Sequence, residues 1–281
     1  MAKLLETIKI SRSINCLMAL VGVLIGAYLT GDKPSYFFPF MASLSAYFAC
    51  AAGNIVNDLL DIESDRVNHP NRVLVQGTVS RKYALFLAIL FNLIAIGISL
   101  LTSAEVIIMV FSAIILLLLY NFFLKKVILI GNIIIGILGA LTFLTGGVAV
   151  DINQAFELPG PIIPAVFSFL FHFIREMIKD VEDIKGDQQV KIKTIPQIIG
   201  VRFTLWLSML LFLILFVLTI VPVWKGWFGT VYEIITIYII DIPLLIVLTI
   251  LLWQPDKKRL RIGTLSLKLG MAMGIIALLA A

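Results

Sequence analysis

Nine blocks of apolar residues recur along the chain, and a block of roughly 18–22 such residues crosses about 30 Å of hydrocarbon as a helix. They predict spans at 12–30, 37–56, 83–101, 104–120, 128–150, 160–178, 203–222, 233–252 and 262–280. With 60% hydrophobic and 14% charged residues and a mean hydropathy of +1.06, the 281-residue chain would aggregate as a soluble domain. The expectation is an all-α, polytopic membrane protein of about nine helices, with residues 1–281 forming one membrane-embedded domain. Lys3, Lys9 and Arg12 precede the first block much as the basic start of a secretory signal does, but the eight blocks that follow make it a first span. Cys16 and Cys50 fall inside spans, where they read as small buried hydrophobes and not as a disulfide.

Basic residues stay on the cytoplasmic side of a membrane, so their distribution orients the chain. Nineteen of the 22 Lys and Arg residues lie in the N-terminus, in the segments near 57–82, 121–127, 179–202 and 254–261, or at the adjoining Arg175. Lys33 and Lys225 lie on the other side, and Lys268 within the last span. A cytoplasmic N-terminus in a multi-pass protein of the plasma membrane follows.

Eight of the 17 acidic residues sit in the two longest of those cytoplasmic segments, beneath a net charge of +5. The first reads Asn54-Ile-Val-Asn57-Asp58-Leu-Leu-Asp61-Ile-Glu-Ser-Asp65-Arg66. If the second helix continues past its apolar block, Asn57, Asp61 and Asp65 share one face at i, i+4 and i+8, with Asn54 one turn before them. After the sixth span the pattern recurs as Asp180, Asp183 and Asp187, at i, i+3 and i+7. Stacked like charges repel on a helix, so two such columns at matching places point to hard cations. Oxygen ligands without Cys or His favour Mg²⁺. Arg66, Arg72, Lys125, Lys126, Lys179, Lys185, Lys191 and Lys193 lie around both columns, as binding of a polyphosphate requires. The same cations also serve the orientation rule, so no single lysine is specific.

A transporter is the main reading outside enzymes, with Asp241 in mid-span and Lys268 inside the last span, but the polar residues gather at one membrane face instead of forming a path across it. A buried Asp241 should be neutral or paired, with Lys268 as the cation at comparable depth. A head-group phosphotransferase would need an Asp-Gly and Ala-Arg pair within one motif, which neither cluster has.

Asn57-Asp58-x-x-Asp61-x-x-x-Asp65, followed by Pro70-x-Arg72, resembles the first signature of the UbiA superfamily of intramembrane prenyltransferases, and Asp180-x-x-Asp183-x-x-x-Asp187 resembles the second. The span count and the Tyr120–Lys125 loop extend the likeness over essentially the whole chain. Val73 stands where the family usually has proline, and Tyr120 and Lys125 are five apart where some members have four, which leaves open whether Lys125 or Lys126 meets substrate. The resemblance implies helices around a central cavity that holds an isoprenyl diphosphate through two Mg²⁺ ions. It makes Asn57, Asp61, Asp183 and Asp187 the leading metal ligands and Asp58, Asp65 and Asp180 supporting ones.

In such a reaction negative charge builds on the diphosphate and positive charge on the allyl fragment. Arg72 and the lysines suit the first, while Tyr120 and Asn121 suit the second, although an interfacial tyrosine also serves as a membrane anchor. The isoprenoid tail would rest among the helices or in membrane lipid. Short loops, many Ile and Lys and few His resemble the archaeal branch of the superfamily. The expected acceptor is geranylgeranylglyceryl phosphate, alkylated on its free hydroxyl by geranylgeranyl diphosphate, with Arg12, Lys125, Lys126 and Lys191 among the cations for its phosphate. The alternative is an aromatic acid of the 4-hydroxybenzoate type, clamped by one arginine. Nucleic acid is not an expected partner.

Overall fold

The computed structural model describes residues 2–31, 35–189 and 193–281, and among them the chain is helical with no strand. The helices are α1 (Ala2–Ile10), α2 (Ser13–Tyr28), α3 (Phe37–Leu60), α4 (Ile62–Asn68), α5 (Val73–Gln76), α6 (Arg81–Ser99), α7 (Ala104–Phe122), α8 (Ile130–Val148), α9 (Ile162–Gln189), α10 (Ile195–Ile199), α11 (Val201–Trp224), α12 (Thr230–Trp253) and α13 (Lys257–Leu279). Seven of them, α3, α6, α7, α8, α11, α12 and α13, are long and apolar enough to cross a membrane. The other two expected spans are the 16-residue α2 and the 28-residue α9, whose C-terminal part is highly charged. Trp224 and Trp253 stand exposed at helix ends, as residues of an interfacial belt do.

The described residues form two compact units, one drawn from 1–126, 141–162 and 185–192 and the other from 127–140, 163–184 and 193–281. In the first unit α3 packs against α2, α6 and α7. Small residues make this possible, because lipid offers no hydrophobic drive between helices and association depends on close packing. Ala42, Ser45, Ala49 and Gly53 are such residues on α3. The Ser45 hydroxyl donates to the Ala95 carbonyl on α6 at 2.6 Å, and Gly53 lies where a Cβ would meet the Leu117 side chain of α7 at 2.9 Å. Closest of all is the crossing of α2 with the C-terminal half of α8, where Gly26 lies against the Phe143 carbonyl and Gly146 against the Val23 carbonyl. This close crossing holds the short α2 in place.

The second unit has its core between the 163–184 part of α9 and α11, α12 and α13, built from Ile174, Ile178, Phe212, Leu215, Leu244, Leu251 and Leu267. Within α12, Ile234–Asp241 is wound as a π-helix, a widening the apolar pattern did not foretell.

Two boundaries bear on function. The second aspartate motif lies on uninterrupted helix, as expected, because α9 runs on to Gln189. The first does not. The helix breaks at Asp61, whose φ of −97° and ψ of 9° end α3 and start α4, so the expected continuous column of Asn57, Asp61 and Asp65 is corrected to the end of the long α3 and the seven-residue α4, which meet at Asp61.

Candidate active site

At one end of the first unit, three carboxylates meet three cations. Asp58, in the last turn of α3 and almost fully buried, accepts from Arg12 through Nη2 and from Arg72 through Nη1, the latter at 2.5 Å. Arg72 Nη1 also donates to Asp65 Oδ2 at 2.9 Å. Asp61 accepts from Lys125 Nζ through one oxygen and from the Asn57 amide through the other. Removing these charges from water is costly, and the cost is met by pairing each one. Burial drives the Asp65 carboxyl up to about 6, with Arg72 opposing the rise and Asp58 and Asp61 adding repulsion. Burial likewise works against charge on Arg12, yet Asp58, Asp65 and Asp61 together raise its pKa above the ordinary value.

The local backbone serves this arrangement. Arg12 sits between α1 and α2 in the left-handed region, with φ 52° and ψ 54°, a conformation that costs a non-glycine residue about 1–2 kcal/mol. Such strain persists where the surroundings over-determine it, and here Asp58 fixes the side chain. Arg72 is in extended conformation after Pro70 and directly before α5. Lys125 lies in a 3₁₀ turn, Leu124–Lys126, just after α7. The buried Asn121 on α7 donates to the Gly53 carbonyl at 3.3 Å and ties that turn to α3.

Along α9, Asp180 accepts from Asn132 of α8 at 2.9 Å. One turn earlier the buried Glu176 pairs with Arg175 at 2.6 Å and with Lys179 at 3.5 Å. Glu182 accepts from Thr264 of α13 at 2.8 Å. Gly186 lies directly against the Asn68 side chain, so a Cβ there would push that side chain aside.

The sequence matches the family described as "UbiA prenyltransferase family" over residues 17–276. The chain belongs to that family. Among relatives of this prenyltransferase, digeranylgeranylglyceryl phosphate synthase of Methanosphaera stadtmanae is 33% identical over 271 residues, 96% of each chain. The protein of the same name from Thermococcus kodakarensis is 31% identical over 278 residues, 98% of this chain and 96% of its own. A solved structure described as giving insights into "the biosynthesis of Digeranylgeranylglyceryl phosphate synthase in membranes" has a TM-score of 0.73 at 29% identity, covering 99% of this chain and 98% of that one. A UbiA homolog from Archaeoglobus fulgidus bound to GPP and Mg²⁺ shares the fold, with a TM-score of 0.61 at 18% identity and coverage of 97% and 99%.

In this UbiA prenyltransferase, the structure joins Arg12, Asn57, Asp58, Asp61, Asp65, Arg72 and Lys125 in one network. It separates the two candidate lysines, since Lys125 reaches Asp61 whereas Lys126 is exposed. Lys179 is engaged by Glu176, and Lys185 is exposed. Tyr120 is half-buried at the end of α7. Asp183 and Asp187 are half-buried on α9, and Lys191 lies outside the described residues. Sequence reading passed over Glu176, Asn132 and the Asn121 link. Glu176 was within reach, because it lies four residues before Asp180 and seven before Asp183 and so extends their column by one turn.

The two lysines therefore separate in an assay. Lys125→Ala should lower the rate of prenyl transfer about 10²-fold, the scale of losing one aimed donor to developing negative charge. Lys126→Ala should stay near the parent rate. Initial rates at saturating donor decide it, and equal losses in the two variants would contradict the separation.

Proposed function

We propose that the chain transfers a geranylgeranyl group from geranylgeranyl diphosphate to the free hydroxyl of geranylgeranylglyceryl phosphate, forming the second ether bond of archaeal membrane lipids. The observation that carries this reading is the 31–34% identity to synthases of that product, four of them matched over 96% or more of both chains. The cluster of Arg12, Arg72 and Lys125 at one end of the first unit supports it, since two anionic substrates need more cations than one does.

Mg²⁺ is the metal the donor set suits, being all oxygen and drawn from carboxylates and one amide. Asn57 and Asp61 of the first motif and Asp183 and Asp187 of the second would hold two such ions, which supply neutralisation of the departing diphosphate. The remaining chemistry belongs to side chains. Asp58 and Asp65 orient Arg72, and Asp58 orients Arg12, so that each guanidinium is already aimed when an anion arrives. Lys125, paired with Asp61, keeps an ammonium beside the same cluster for diphosphate oxygens. The acceptor hydroxyl oxygen bonds to the allylic carbon, diphosphate leaves with the bonding pair, and the hydroxyl proton passes to the departing diphosphate or through water to solvent. The distribution of Lys and Arg supports a cytoplasmic position for this end of the protein.

The phosphate on the acceptor is the distinguishing demand. Geranylgeranylglyceryl phosphate and its dephosphorylated alcohol, compared as acceptors with one donor, should differ by about 10²-fold or more in kcat/KM, the value of charge-assisted contacts left unmade. Equal use of the two would contradict a phosphate-reading acceptor site.

A further inference from the structure

Far along the chain from the aspartate motifs, α11 and α12 bury a polar cluster in the second unit. Asp241 is 0% exposed and Thr236 5%, and Thr219 and Tyr232 are equally enclosed. Asp241 Oδ2 lies 2.7 Å from Thr219 Oγ1, and Tyr232 donates its hydroxyl to the Thr219 carbonyl at 3.2 Å. Asp241 Oδ1 and Thr236 Oγ1 have no hydrogen-bond partner. Sequence reading had looked to Lys268 for a partner, but the group bonded to the carboxyl is the Thr219 hydroxyl.

Proton counting shows what is missing. Thr219 Oγ1 lies 2.7 Å from the Phe216 carbonyl as well as 2.7 Å from Asp241 Oδ2, and one hydroxyl proton cannot serve both. With Asp241 ionised, an oxygen at short range is left facing another oxygen, and a positive charge must lie between or beside them. The π-helical winding of Ile234–Asp241 brings Thr236 and Asp241, five residues apart, onto the same side of α12. The cluster is rich in oxygen, poor in donors and carries one carboxylate. Each buried unsatisfied group calls for an explanation such as an ion, and an ionisable residue within a membrane helix marks a functional site by default.

We propose that the side chains of Asp241, Thr236, Thr219 and Tyr232 form a binding site for one monovalent cation of sodium size, which ties the π-helical turn of α12 to α11. A single carboxylate matches a single positive charge, and neutral oxygens complete the coordination of a hard ion. The site is independent of prenyl transfer and of the acceptor reading.

The test uses the whole chain purified in detergent, at fixed pH, Mg²⁺ and ionic strength, with sodium, potassium or N-methylglucamine as the monovalent cation. Sodium should raise the melting temperature saturably over N-methylglucamine, by roughly 3–5 °C at tenfold the dissociation constant. Radioactive sodium should bind at one ion per chain. Asp241→Asn, which keeps the shape and removes the charge, should abolish both effects, and Thr236→Val should weaken them. Direct binding to the parent protein keeps the test open if Asp241→Asn does not fold. No bound sodium, or melting indifferent to the cation, would assign the cluster to a proton or a trapped water and overturn the proposal. A sodium effect that survives in Asp241→Asn would overturn it equally, by placing the ion elsewhere.

Discussion

Asp61→Ala should abolish prenyl transfer, with a rate loss of about 10³-fold or more, in a protein that still folds. Asp61 stands at the hinge between α3 and α4 with its carboxylate between Lys125 and Asn57. Its side chain is partly exposed, so truncation opens no cavity, and because it leaves the largely buried Lys125 without its carboxylate the melting temperature should fall, by less than in Asp58→Ala. Asp183→Ala should match it from the second motif. Asp58→Ala should behave differently. Its carboxylate is buried between two arginines, and removing it leaves two cations with one fewer counter-charge, so stability should fall together with activity. Transfer rates and melting temperatures of the three variants, measured side by side, separate loss of chemistry from loss of structure. Near-parent activity in Asp61→Ala or Asp183→Ala with Mg²⁺ present would contradict the assignment of metal ligands.

The largest expected structural effect lies elsewhere, at Gly146→Ala. The added Cβ would overlap the Val23 carbonyl, a backbone atom of α2 that cannot turn aside. Overpacking usually costs about 1–3 kcal/mol, and here the two helices must separate, so the loss should reach or exceed the top of that range. Gly26→Ala should act in the same way from the other side, against the Phe143 carbonyl. Gly97→Ala is the control, since nothing lies within 4 Å of its Cβ position on α6 and alanine improves helix propensity. Yield of monodisperse protein and melting temperature in one detergent check all three. A Gly146→Ala protein as stable as Gly97→Ala would contradict the close crossing of α2 and α8.

Much of this was legible in the sequence. Apolar block length placed the long helices to within a few residues in most cases, because the thickness of hydrocarbon is a stronger constraint than local propensity. Two departures have physical causes. α13 begins at Lys257, earlier than the expected 262, because the Asp256 side chain caps it by accepting from the Arg259 amide at 2.9 Å. The break at Asp61 was hidden because Asn57, Asp61 and Asp65 fit a helical face in spacing, while the chain turns there to bring Asp58 and Asp65 onto Arg72. The choice between Lys125 and Lys126 rests on a short 3₁₀ turn, which spacing alone does not reveal. Thr219 as partner of Asp241 was equally hidden, since it depends on which faces of α11 and α12 meet.

The measurement that bears most directly on the whole account is identification of the product. Purified protein is given labelled geranylgeranyl diphosphate with geranylgeranylglyceryl phosphate or with 4-hydroxybenzoate, in Mg²⁺ and again in excess EDTA, and the products are resolved by mass. The account predicts the double ether phosphate from the glycerol phosphate acceptor, no prenylated 4-hydroxybenzoate, and no product of either kind in EDTA. Prenylated 4-hydroxybenzoate with no ether product, or transfer undiminished by EDTA, would contradict it.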